Sequence, residues 1–221
     1  MTAWFAAQQV EDEAPVSMLD LGCGIGSVLM LLAWRFPAAR AVGVEAQRIS
    51  VDLARRSLAW NGAAERCRVL LGDLRDPEVL PDGAGFGLVT GTPPYLRLGS
   101  ATAPTRVQCG PCHLEYRGGI EAYAAAAARW MAPGGCFVAC EAAAQVERVI
   151  AAAAAAGLRI GRRVDVVPRE GKAALFSVYA MRRADDAGSA SVIEPALVVR
   201  DAAGRRTPAF RRVRDAMGMP P

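Results

Sequence analysis

One histidine, His113, stands in the whole 221-residue chain, and aromatic residues make up only 6% of it. No apolar run approaches the roughly 20 residues that a membrane-spanning helix needs, and Val28–Trp34 reads instead as the buried face of a helix. Met1–Ala14 carries Glu11, Asp12 and Glu13 and no basic stretch, which predicts no secretory leader and a cytoplasmic protein. No internal repeat is visible, and Trp4, Trp34, Trp60 and Trp130 are not spaced as a base-stacking platform, so they are expected to fill or cover the core. The scarcity of histidine also bears on Cys109-Gly110-Pro111-Cys112-His113. A zinc site there lacks a fourth ligand. The same spelling occurs in c-type haem attachment and in thioredoxin pairs. Haem attachment wants export, and a redox pair wants a helix N-terminus just after a strand. Neither setting is present, and no metal is expected.

What is present is alanine and apolar residues, 52% of the chain, enough for one α/β domain with a real core. The six cysteines, in a chain without a leader, read as reduced thiols, and Cys23, Cys67, Cys136 and Cys140 as small core hydrophobes. Net charge is +4, unevenly placed: Arg200, Arg205, Arg206, Arg211, Arg212 and Arg214 face only Asp201 and Asp215 beyond residue 199. Such a basic end suits a polyanion such as RNA. The expected organisation is a lead-in over 1–15, one domain over 16–182, and a linker with a basic tail over 183–221.

Val16–Gly26 is the stretch around which the rest is arranged. A short apolar run ends in Asp20 and then in Gly22, Gly24 and Gly26, and a helical pattern follows. This predicts a strand over Ser17–Leu21, a tight turn and a helix over 25–36 stopped by Pro37. Further strands are expected at 41–44, 67–71, 86–90 and 136–140. Helices are expected at 50–60, before Asn61-Gly62, at 119–131, with Pro133-Gly134-Gly135 as its exit turn, and on to Ala156. Residues 157–167 and 173–181 read as a closing antiparallel pair. The alternation predicts a mostly parallel sheet with helices on both faces. Residues 96–114, with two prolines and few periodic apolar positions, read as a long functional loop.

Ligands of such sheets bind at the carboxyl ends of the strands. Four of these ends are marked: Asp20 with its glycines, Glu45, Asp73, and Thr92-Pro93-Pro94-Tyr95. A dinucleotide site more often shows G-x-G-x-x-G, which Gly22, Gly24 and Gly26 do not fit. The spelling D-x-G-x-G-x-G resembles motif I of the class I S-adenosylmethionine (SAM) methyltransferases, which implies a Rossmann-like seven-stranded sheet and SAM as cofactor. On that resemblance the glycine turn and Asp20 meet the amino-acid moiety, Glu45 accepts from both ribose hydroxyls, and Asp73 accepts from the adenine amine. Cys23, Ala46 and Leu74 complete the expected contacts.

Pro93-Pro94-Tyr95 resembles motif IV of the amino-methyltransferases, Asn/Asp-Pro-Pro-Tyr/Phe. A planar nitrogen must be turned toward the methyl group; a side-chain oxygen and a backbone carbonyl accept its two N–H groups while a ring stacks on the acceptor. Ala54–Leu58 with Asn61-Gly62, Gly72–Asp76, Leu114–Gly119 and Gly204–Pro208 resemble the bacterial tRNA(Val) adenine-N6 methyltransferases. The resemblance implies methylation of adenine N6 in RNA, tRNA above others. Thr92, Pro93, Pro94 and Tyr95 would be the catalytic set, Arg97 and Arg117 would contact substrate, and a monomer is expected. Thr92 departs from the family's Asn/Asp, and only the fifteen residues of the lead-in precede the domain. A protein glutamine or small-molecule amine is the alternative acceptor. A catalytically weak RNA-binding protein on the same fold is the alternative of another class.

Overall fold

The computed structural model describes residues 1–10, 17–95, 115–186 and 190–220. In chain order these form α1 (Thr2–Gln8), β1 (Ser17–Leu21), α2 (Ser27–Arg35), β2 (Arg40–Glu45), α3 (Arg48–Trp60), β3 (Cys67–Leu71) and β4 (Phe86–Gly91). After residues 96–114 come α4 (Ile120–Trp130), β5 (Met131–Ala142), a 3-10 turn, α5 (Val146–Ala155), β6 (Leu158–Val167), β7 (Phe176–Arg183), β8 (Val192–Ile193), β9 (Leu197–Val198) and α6 (Pro208–Ala216).

Among the described residues, nine strands form one sheet in the order β3-β2-β1-β4-β5-β7-β6-β8, with β9 also on β6. The strands from β3 to β5 run parallel, and β7 is antiparallel to both β5 and β6. Both faces are covered, so successive residues of a strand enter different cores. On β5, Cys136, Val138 and Cys140 join the layer beneath α1, α2, α3 and α6, while Phe137 and Ala139 join the layer beneath α4 and α5. All four cysteines expected in the core are buried free thiols. The chain winds from β1 outward to β2 and β3, then returns to place β4 on β1's other side. That reversal opens a crevice beyond the carboxyl ends of β1 and β4.

Local chemistry explains the boundaries. The residue before a proline is pushed out of the helical region, and Phe36, before Pro37, caps α2 at φ −121° and ψ 76°. The end of α3 falls at Asn61, followed by Gly62 at φ +64°. The Thr207 hydroxyl accepts the Phe210 N–H at 3.1 Å, and Pro208 supplies the first helical residue of α6.

The structure corrects several expectations. Within the lead-in, Thr2–Gln8 form a helix with Phe5 and Ala6 wholly buried, because one face of it is apolar enough to pack on the sheet. Strand β5 starts at Met131, not at 136: Phe86 pairs with Met131 and Leu88 with Cys136, so 132–135 bulge opposite a single residue of β4. Of the tryptophans, Trp130 is buried and Trp4 packs on the core edge, whereas Trp34 and Trp60 are 55% and 91% exposed. Residues 192–220, expected as linker and tail, add β8, β9 and α6, and bury Leu197, Val213 and Met217. No helix among the described residues is long and apolar enough to cross a membrane.

Candidate active site

A cavity of about 510 Å³ lies at the carboxyl edge where β1, β2, β3 and β4 end. From β1 and its turn it takes Asp20, Gly22, Cys23 and Gly24; from the end of β2, Glu45 and Ala46. Asp73 and Leu74 follow β3, Thr92 and Pro94 follow β4, and Arg117 comes from the segment before α4. Gly26 and Pro93 do not line it: Gly26 caps α2 at φ +84°, and Pro93 is buried. Tyr95 does not line it either. Its hydroxyl lies 3.0 Å from Cys140 Sγ, and its ring packs against the core layer of α1 and α2. Arg97, Cys109, Cys112 and His113 lie outside the described residues. No group of three His, Cys, Asp or Glu side chains is placed to hold a metal among the described residues.

The glycine turn is held by the next strand. The Cys23 N–H donates to the Val44 carbonyl at 3.1 Å, and the Gly24 N–H donates to Glu45 Oε2 at 2.9 Å. Glu45 Oε1 accepts the Gln47 N–H at 2.7 Å, so one nearly buried carboxylate closes the turn and opens α3. Gly22 sits at φ +59°, and a Cβ there would lie 2.2 Å from the Tyr123 hydroxyl oxygen. Tyr123 is the cavity residue that the sequence concealed; a tyrosine among alanines on a helix reads as core, and nothing in its spacing marks it. Gln47 and Ser50, also in the lining, were equally unmarked.

Among the described lining residues, Asp20, Glu45 and Asp73 carry carboxyl groups and Arg117 carries a guanidinium. Burial pushes the Asp20 carboxyl up to about 7, against the Thr90 hydroxyl, which donates to Oδ1 at 2.8 Å. Asp20 Oδ2 is buried without a partner among the described residues. The Asp73 carboxyl is held below its usual range by Arg75, whose Nε and Nη2 donate to its two oxygens at 2.9 and 2.7 Å. Burial raises both the Cys23 thiol and the Tyr123 phenol, which keeps them neutral.

A family model described as a methyltransferase domain matches residues 18–95, the span that holds the glycine turn, Glu45, Asp73 and the Thr92–Tyr95 corner. Release factor glutamine methyltransferase of Mycolicibacterium smegmatis is 34% identical over 139 residues, 60% of this chain and 47% of that one. The tRNA1(Val) (adenine(37)-N6)-methyltransferase of Porphyromonas gingivalis is 33% identical over 115 residues, 51% of this chain and 44% of that one. The chain thus spans about half the length of the curated relatives it matches. Among solved structures, a predicted O-methyltransferase from Agrobacterium tumefaciens superposes with a TM-score of 0.72 at 22% identity, covering 100% of this chain and 98% of that one. That likeness establishes the Rossmann-like α/β fold. The matched domain and both named relatives are methyltransferases.

Proposed function

We infer that this protein is a SAM-dependent N-methyltransferase acting on a planar exocyclic amine, with adenine N6 in RNA as the first acceptor. The observation that carries the reading is one cavity that joins the glycine turn, three strand-end carboxyls and the Thr92–Pro94 corner.

The residues present fit such a donor. Asp20 offers a buried oxygen without a partner among the described residues, which suits the ammonium group of such a donor. Gly22–Gly24 and Asp20 would hold the amino-acid part, Glu45 the ribose hydroxyls, and Asp73 with Leu74 the adenine. When bound, the donor supplies an electrophilic methyl group. The protein's own part is positioning. The Thr92 hydroxyl, in the cavity wall, would accept an N–H group of the acceptor, which aims the nitrogen lone pair and spreads the positive charge that develops on it. The nitrogen then sheds a proton to solvent, so no side-chain base of matched pKa is required. The basic residues beyond Arg200 and the exposed Arg117 at the cavity support an RNA partner.

A second acceptor, the amide of a protein glutamine, is favoured by one observation: Tyr95 packs on Cys140 instead of offering a stacking face to the cavity. Labelled SAM incubated with total RNA and with total protein separates the two. Labelled N6-methyladenosine after nuclease digestion supports the first, and labelled methylglutamine after proteolysis supports the second. Calorimetry showing no SAM binding would leave an RNA-binding protein and end the enzyme reading.

A further inference from the structure

The acceptor side of the cavity is built from two segments, Thr92–Tyr95 after β4 and Glu115–Gly119 before α4. Both are tied to the same turn at the start of α5. Gln145 Nε2 donates to the Tyr95 carbonyl at 3.0 Å, and Gln145 Oε1 accepts from Arg148 Nη1 at 2.9 Å. Arg148 then reaches Glu115, Nη1 to Oε1 at 2.6 Å and Nη2 to Oε2 at 2.8 Å. It also reaches Glu121 in the first turn of α4, Nε to Oε1 at 2.6 Å and Nη2 to Oε2 at 2.7 Å. Five bonds use every N–H the guanidinium has.

The space for this arrangement is reserved. A Cβ on Gly119 would lie 2.5 Å from Arg148 Nη2 and 2.7 Å from Glu115 Cδ, so any side chain there would displace the pair. The side chains of Arg148 and Glu115 are only 12% and 11% exposed. Ion pairs this far from water are poor stabilisers, since desolvation offsets most of their attraction, and apolar groups of like size hold helices as well. What a forked, fully committed guanidinium adds is a fixed position. Between its contacts at Glu115 and Gly119 lie Arg117 and Gly118, both in the cavity wall. At the other end of the relay, Tyr95 directly follows the lining residue Pro94.

We propose that Gln145 and Arg148 are positioning residues of the acceptor site: they set the separation between the Thr92–Pro94 wall and the Arg117–Gly118 wall, and so the attitude of the acceptor nitrogen. This rests on the methyltransferase reading of the cavity. A displacement of about 1 Å in such a site costs up to about a hundredfold in rate.

The test uses the full chain, with calorimetry for SAM alone and steady-state transfer to the acceptor found in the RNA and protein assay. Gln145→Met keeps the volume and removes both hydrogen bonds. It is expected to leave the SAM dissociation constant within about twofold, to raise the acceptor KM and to lower kcat, for a combined loss of about ten- to a hundredfold. Glu115→Gln should show the same split, and the double variant should lose little more than the worse single one, because the groups act as one relay. Arg148→Lys should rescue part of the loss seen in Arg148→Met. If Gln145→Met does not fold, Gln145→Glu, which still accepts from Arg148 and cannot donate to Tyr95, takes its place. Acceptor kinetics within threefold of the parent, additive effects, or a loss of SAM affinity matching the loss of rate would overturn the proposal alone. A parent protein that binds no SAM, or methylates neither RNA nor protein, would bring down the underlying reading and this inference with it.

Discussion

Glu45→Gln separates a strut from a ligand-binding group. In the folded chain the Glu45 carboxylate accepts two backbone N–H groups, from Gly24 and Gln47, at 2.9 and 2.7 Å. Those bonds use half of its four acceptor sites, and the ribose diol of the donor would take the rest. Glutamine keeps one oxygen and turns an NH2 group toward one of the two donors. A hydrogen bond to a charged group contributes about 1.5–3 kcal/mol, so the protein alone should lose about 2 kcal/mol of stability. The ribose loses an ionised acceptor as well. At about 2 kcal/mol more, SAM affinity should fall roughly thirtyfold beyond any change that destabilisation causes. Urea denaturation without ligand gives the first number. Calorimetry at a temperature where both proteins are folded gives the second. A variant that loses the stability and still binds SAM within threefold of the parent would show Glu45 to be a turn fastener only, and the ribose assignment would fall.

Three other outcomes are expected. Asp20 and Glu141 are both buried, and burial pushes each carboxyl up to about 7. The unfolded chain releases these protons near pH 4 and the folded chain keeps them, so stability should fall as pH rises from about 4 to 7, by on the order of 3 kcal/mol per group. Asp20→Asn and Glu141→Gln should each flatten that slope in urea midpoints taken at pH 5 and pH 8, and a slope unchanged by either would count against the assignment. Thr92→Asn restores the longer acceptor of the motif and should raise kcat about five- to a hundredfold, a gain of roughly 1–3 kcal/mol in the transition state; a fall in kcat would mean that the threonine suits a different acceptor. Gly22→Ala meets both a φ of +59° and the Tyr123 oxygen at 2.2 Å, and should cost about 3 kcal/mol. Adding Tyr123→Phe should recover only part of this, because the ring carbon behind that oxygen is still at 3.0 Å. Full recovery in thermal melts would refute the backbone share.

The strand ends were readable because burial on both faces makes each parallel strand an apolar run, and the residue that closes the run has to be polar to face a ligand. Glu45 closes β2, Asp20 sits one residue before the end of β1, Thr92 and Asp73 follow β4 and β3 within two residues, and all four line the cavity. Tyr95 followed the motif's spelling and still turned away, because its place depends on Cys140, 45 residues further on. Pro133-Gly134-Gly135 reads as a turn in any local window; only the register with β4 shows it to be a bulge. Charge hid the packing of the last thirty residues, since the arginines around Val213 mask the apolar positions of α6. The Gln145–Arg148 relay joins groups up to 50 residues apart and has no linear signature.

Strands β8 and β9, two residues each, lie along β6, whose ten residues would otherwise form the outer margin of the sheet. A bare margin of that length invites a strand from another molecule to add to it. The returning chain is laid there in two short stitches, at Arg162–Arg163 and at Val166–Val167, which breaks up that margin. The segment that reads as a solvated extension is therefore a selvedge for part of β6.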